Sequence, residues 1–222
     1  MIGRCYVTDR EHKGTSITKY VDDYSIVDLE TTAVFVGSAD IIEISALKVR
    51  DNKVIDKFST LVNPHYHIPE EATAVNHITD KMVEGAPDIS DVLGEFLNFV
   101  GTDVIVGYNN AAFDMNMIYD KSLEIIGFPF TNDYIDLLHS ARRCLVDLEN
   151  HKLETVSKHY KLDTEGEHRA LKDCYLTKEC YDKLYSEFGD EAFYRSSKSS
   201  GNNPKVYSYK DVTFYIGFWH LK

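Results

Sequence analysis

Apolar and polar positions alternate along this chain in a way that marks out its elements one after another. "YSIVDLE", Tyr24 to Glu30, is apolar except for Ser25, Asp28 and Glu30, and predicts a buried strand whose far end carries two acids. "IIEISALKV", Ile41 to Val49, is mostly apolar with small and charged interruptions and predicts a second strand. "KVIDKFSTLV", Lys53 to Val62, alternates enough for a third, and the short "RDN" link before it predicts an antiparallel hairpin. Pro64 and Pro69 break the pattern, and a short helix is expected near Glu70–Ala74. In "APDISDVLGEFLNFV", Val92, Leu93, Phe96, Leu97 and Val100 recur at helical spacing behind a Ser/Asp start with N-cap chemistry. "DVIVG", Asp103 to Gly107, reads as a short buried strand, and residues 112–126 as a helix closed by Gly127 and Pro129. "DYIDLL" predicts a fifth strand running into a helix, and Leu153–His159 and Ala170–Phe188 two further helices.

The resulting order, β-β-β-α-β-α-β-α-α, predicts an α/β fold: three leading strands in a meander, then αβ units, forming a mixed sheet with helices on both faces. No internal repeat is visible. Residues 1–22 read as a leader without a strong period, and 23–190 as the domain. After Phe188 the character changes. "RSSKSSGNNPK" is linker-like, and "VYSYKDVTFYIGFW" returns to strand-like alternation, so 191–222 reads as a linker and tail. That tail is expected either to pair with a sheet edge or to open a truncated module.

Composition narrows the function classes. A length of 222 residues with 43% hydrophobic content suits one globular domain. No apolar run approaches the roughly 20 residues that span a bilayer, and the polar N-terminus lacks the apolar core of a signal peptide. A cytoplasmic location without a membrane partner is expected. Cys5, Cys144, Cys174 and Cys180 are scattered without CxxC spacing, which points to free thiols rather than a zinc site or disulfide framework. The net charge of −12 argues against broad electrostatic binding to a duplex. It leaves room for an enzyme that grips the end of a strand with bound cations supplying the positive charge.

Candidate chemistry lies in three stretches. Residues i and i+2 of a strand share a face, so Asp28 and Glu30 in "SIVDLETT" project together. Two like charges so placed oppose each other's ionisation unless a cation lies between them. In "VGYNNAAFDMNMI", Asp114 opens a helix directly after a buried strand, where open α/β sheets bind ligands. In "HRALKDC", His168 and Asp173 are five residues apart, roughly 140° around a helix. They can serve one site only if His168 lies at or before the helix start. Leu29 and Phe113 are apolar neighbours able to pack against a base or sugar, or simply core residues.

Together "SIVDLETT", "GYNNAAFD" and "HRALKDC" resemble the three motifs of the DEDDh 3′–5′ exonucleases, the family that includes epsilon-type proofreading subunits of DNA polymerase III. The resemblance covers about residues 22–188. It implies an RNase H-like mixed five-stranded sheet flanked by helices, with 23–190 as the exonuclease domain. It further implies Asp28, Glu30, Asp114 and Asp173 as ligands of two Mg²⁺ or Mn²⁺ ions and His168 as general base. Glu71 and Asn76 fall where the family touches the terminal nucleotide, and Leu29, Thr32 and Ile78 where it lines the pocket. The chain departs from the family pattern at Ala33 and His77, each standing where a Gly is usual, and in a second motif one residue longer than usual and lacking its His. Carboxylates suit hard divalent ions, and a histidine can take a proton near neutral pH. The expected activity is metal-dependent release of 5′-mononucleotides from the 3′ end of DNA, single-stranded DNA above all. The alternatives are RNA trimming by the same acids and a catalytically silent nucleic-acid-binding module. A replicative subunit docked on a DNA polymerase and a stand-alone repair or scavenging exonuclease are equal expectations, and since the chain contains no Gln, a Gln-led clamp-binding peptide is not expected.

Overall fold

A computed structural model describes residues 10, 11, 13–166 and 168–193. Five strands form one mixed sheet: β1 (Tyr24–Thr31), β2 (Ile41–Arg50), β3 (Lys53–Leu61), β4 (Ile105–Gly107) and β5 (Tyr134–Asp136), in the order β3-β2-β1-β4-β5. The β1–β2 and β2–β3 pairs are antiparallel, and β1–β4 and β4–β5 are parallel. The expected α/β class and five-stranded mixed sheet are what the chain forms. Asp51 and Asn52, both at positive φ, make the two-residue turn between β2 and β3, as such hairpins require.

The helices cover both faces of the sheet. The helices are α1 (Glu70–Asn76), α2 (Asp80–Val83), α3 (Ile89–Val100), α4 (Asp114–Ile126), α5 (Leu137–Cys144), α6 (Leu153–His159) and α7 (Ala170–Phe188). On one face, Tyr24 and Ile26 of β1 and Leu47 and Val49 of β2 pack with Cys174, Tyr181 and Leu184 of α7. On the other, Val27, Leu29, Ile44 and Ala46 pack with Val92, Leu93 and Phe96 of α3 and Met115 and Ile118 of α4. A smaller cluster of Ile42, Ile68, Ile78 and Val83 sits under α1 and α2. The four-residue α2 was not expected from the sequence, because so short a helix has no periodicity to read.

Part of the segment expected as a leader pairs with the sheet. Thr15 accepts from Tyr134 N–H at 2.9 Å and Ile17 N–H donates to Tyr134 at 2.7 Å, so the segment runs parallel to β5 and covers its outer edge. Of the linker and tail expected over 191–222, Ala192 and Phe193 are buried in the core beside α7, and residues 194–222 lie outside the described residues. Cys144, Cys174 and Cys180 are free thiols. Among the described residues no helix is long and apolar enough to cross a membrane.

Candidate active site

Strand β1 carries the site because it is central yet unequally flanked. Its pairing with β4 covers Ser25 and Ile26, whereas its pairing with β2 continues to Thr31. Beyond Ile26 one edge of β1 is therefore open. Asp114, the first residue of α4, fills that opening: its Oδ1 accepts the Leu29 backbone N–H at 3.1 Å. Alternation along the pleat sends Asp28 and Glu30 to the same face as Tyr24 and Ile26, the face covered by α7. There they meet Asp173 from the first turn of α7. One carboxylate oxygen from each of Asp28, Glu30 and Asp173 lies within 4.8 Å of the other two, a grouping able to hold a metal ion.

The loop that delivers Asp114 is itself fixed. Asp136, at the end of β5, accepts from Asn109 N–H at 2.9 Å, Ala111 N–H at 3.2 Å and Leu138 N–H at 3.0 Å. It thus ties the approach to α4 and caps α5 at once. Gly107 closes β4 where a Cβ would come within 2.6 Å of the Asn110 side chain, so glycine lets the chain fold back tightly here.

Helix α7 begins at Ala170, so His168 precedes it and escapes the angular conflict with Asp173. The His168 side chain is solvent-exposed, its backbone is left-handed (φ 64°), and its N–H donates to Asp173 Oδ2 at 3.3 Å. Glu43 of β2, opposite Glu30 in register, adds a further buried carboxylate next to the site. It accepts a two-pronged contact from Arg169, at 2.7 and 3.1 Å, and the Ala170 N–H at 3.1 Å.

Crowding and burial perturb these acids together. Burial first, then the charges of Asp114, Asp173, Glu30 and Glu43, holds Asp28 well above the usual carboxylate range. Glu30 is pushed up to about 8 by burial and then by Asp173, Glu43 and Asp114, against the opposing pull of Arg169. Burial raises Asp114 to about 7, even though its own N–H and that of Leu29 favour its anion. Such a set ionises fully only when positive charge enters it. Its donors are all oxygens, which suits hard divalent cations. The residues therefore fit a divalent metal.

Beside the acids opens a cleft of about 580 Å³, lined in part by Glu30, Thr32, Glu71, Asn76 and Phe113. Thr32 Oγ1 lies 2.8 Å from Tyr66 Oη and accepts from Asp40 N–H, pinning the loop at the cleft mouth. Asn76 accepts the Ile78 N–H at 3.0 Å and donates to Thr31 O at 3.4 Å, fastening α1 to the end of β1. His77 ends α1 in the left-handed region (φ 60°). Phe113 lines the cleft and also packs on the α3–α4 core. Leu29 and Ile78 do not line this cleft. Leu29 lies in the core beneath α3 and α4, and Ile78 is fully buried in the cluster under α1 and α2.

Sequence reasoning missed Glu43, Arg169 and Asp136. The signal for Glu43 was present: an acid inside a strand buried on both faces is as anomalous as Asp28.

The Exonuclease family model (RNase_T) matches residues 25–181, most of the chain. The chain belongs to this exonuclease family. The exonuclease is 35% identical over 164 residues to the DNA polymerase III subunit epsilon of Aquifex aeolicus, a match covering 74% of this chain and 81% of that protein. It is 38% identical over 170 residues to the PolC-type DNA polymerase III of Clostridium perfringens, covering 77% of this chain but 12% of that much longer protein. Its fold superposes on exonuclease I of E. coli, solved with a dA16 oligonucleotide, with a TM-score of 0.70 at 20% identity, over 78% of this chain and 42% of the other. Exonuclease X, solved with 5′-overhanging duplex DNA, gives a TM-score of 0.61 at 28% identity, over 77% and 96%. The domain is thus a nuclease, a phosphodiester hydrolase homologous to a DNA polymerase III subunit epsilon, built on the RNase H-like sheet.

Proposed function

We propose that this exonuclease removes nucleotides one at a time from the 3′ end of DNA as 5′-mononucleotides, using two Mg²⁺ or Mn²⁺ ions held by Asp28, Glu30, Asp114 and Asp173. The observation that carries this reading is the meeting of Asp28, Glu30 and Asp173, from β1 and α7, beside a cleft, with Asp114 of α4 bound to the same strand. When bound, the cations would acidify the attacking water and neutralise the phosphoryl group and leaving oxygen. The chain's own residues do the rest. The rigid end of β1 holds Asp28 and Glu30 so that little reorganisation is needed on binding. Phe113 and the walls around Thr32 and Asn76 receive the terminal base and sugar and orient the scissile bond. His168 accepts the proton of the attacking water.

Single-stranded DNA is the substrate that fits best. The protein carries net negative charge, which disfavours broad duplex binding, and solved neighbours of this fold include exonuclease I with a dA16 oligonucleotide. The relatives named as DNA polymerase III proteins make association with a polymerase part of the same proposal.

The test is Asp28→Ala on 5′-labelled single-stranded DNA with Mn²⁺. Loss of a ligand shared by the acid cluster is expected to cost about 3 kcal/mol or more of transition-state stabilisation, roughly a hundred-fold in rate. Products of the parent should shorten stepwise from the 3′ end. A variant that folds and digests as fast as the parent overturns the assignment.

A further inference from the structure

His168 lies in the left-handed backbone region (φ 64°), which is unfavourable for a non-glycine residue, so neighbouring contacts must hold it there. Three successive residues are held, and by only two carboxylates. His168 N–H donates to Asp173 Oδ2. Arg169 is extended (φ −130°, ψ 121°), and its Nη2 and Nε reach the two oxygens of Glu43 at 2.7 and 3.1 Å. Ala170 N–H, at the start of α7, donates to Glu43 Oε2 at 3.1 Å. Arg169, the residue that precedes the helix, offers no side-chain cap of its own. Glu43 therefore caps α7 from another element, while its fork-like contact fixes the residue next to His168. Glu43 is 3% exposed and rides on a central strand, so it is a rigid anchor. Both of its oxygens are committed to α7 and Arg169, and it lies outside the Asp28–Glu30–Asp173 grouping.

We propose that Glu43, through Arg169, is a positioning residue that sets the turn at His168 and so the approach of its imidazole to the acid site. The inference rests on the reading of His168 as proton acceptor. Glu43 touches neither substrate nor the reacting atoms. It differs from a mere core contact because its partners are the two residues that follow His168. A lysine at 169 keeps the charge but cannot form the paired contact.

The experiment compares the full chain with Glu43→Gln, Arg169→Lys, His168→Ala and the Glu43→Gln/His168→Ala double variant, at saturating Mn²⁺ on single-stranded DNA. Glu43→Gln and Arg169→Lys are each expected to lower kcat by about 10- to 100-fold, the size of effect seen when groups orienting a site are lost. KM should stay within about two-fold in both, and so should the Mn²⁺ affinity of Arg169→Lys, which keeps the charge, measured by calorimetry. Adding Glu43→Gln to His168→Ala should cost nothing more, because the two act as a unit. In the metal-free protein, hydrogen exchange at the amides of His168 and Ala170 should accelerate in both Glu43→Gln and Arg169→Lys. Full kcat in Arg169→Lys, additive losses in the double variant, or unchanged exchange overturns the positioning role. If His168→Ala itself keeps full kcat, the reading of His168 as proton acceptor fails instead. Should Glu43→Gln not fold, Arg169→Lys carries the test, since its side chain is 40% exposed.

Discussion

Binding of a divalent cation to the metal-free protein should expel protons, and the number can be worked from the acid cluster. With Glu30 at about 8 and Asp114 at about 7, the metal-free protein carries at pH 7 roughly 0.9 of a proton on the first and roughly half a proton on the second. Asp28 is also held well above the usual range, by burial and then by Asp114, Asp173, Glu30 and Glu43. Cation ligation needs these oxygens ionised, so Mn²⁺ should displace at least roughly 1.4 protons at pH 7. At pH 9 Glu30 and Asp114 together hold only about 0.1, so the release should fall by at least about one. Apparent affinity should climb steeply with pH below neutrality, by about 1.4 kcal/mol per pH unit for each proton displaced. The assay is calorimetric titration with Mn²⁺ in buffers of differing ionisation enthalpy, where the dependence of the observed heat on buffer counts the protons. Glu30→Gln should remove roughly one of them at pH 7. Release near zero at pH 7, or a count that does not change up to pH 9, would refute the picture of crowded, partly protonated acids. The same linkage fixes a sign for stability. The folded, metal-free chain holds protons that the unfolded chain gives up, so its stability should fall as pH rises from the ordinary Glu value of 4.5 through about 8.

Two further predictions concern the frame around the site. His77→Gly, which relieves a left-handed helix end, should raise the urea midpoint by the equivalent of about 0.5–1 kcal/mol. Asp136→Ala leaves Asn109, Ala111 and Leu138 without their acceptor and removes the cap of α5, and should cost about 3 kcal/mol. That corresponds to roughly 6–12 °C in thermal unfolding at this chain length, while Asp136→Asn should lose distinctly less.

Much of this architecture could be read from the sequence because it is written in local periods. The alternation that buries Tyr24 and Ile26 also states that Asp28 and Glu30 share a side, and the break after "DVIVG" announces the helix that Asp114 opens. The five-residue gap between His168 and Asp173 requires a helix start between them, and α7 begins there. What could not be read depends on contacts between distant segments. Glu43 looked like a charged interruption of an apolar strand because its partners, Arg169 and Ala170, lie near the other end of the domain. Asp136 resembled any strand-end acid until the Asn109–Ala111 loop folded onto it. The pairing of residues 15–17 with β5 is made mainly by backbone groups, with Thr15 N–H also reaching Asp133 Oδ1, and contacts between segments so far apart follow no local period. Leu29 and Ile78, adjacent in sequence to polar site residues, point into the core, because spacing along a motif does not say which neighbours open onto a cleft.

The cluster draws on the first strand and the last long helix of the sheet domain, so it closes only when nearly all of the domain has been synthesised. A chain still emerging from the ribosome, or one clipped ahead of α7, would keep Asp28, Glu30 and Asp114 but lack Asp173 and the turn that bears His168. Hydrolytic power would then arrive as the final act of folding, and a half-made nuclease would be harmless to the nucleic acid around it.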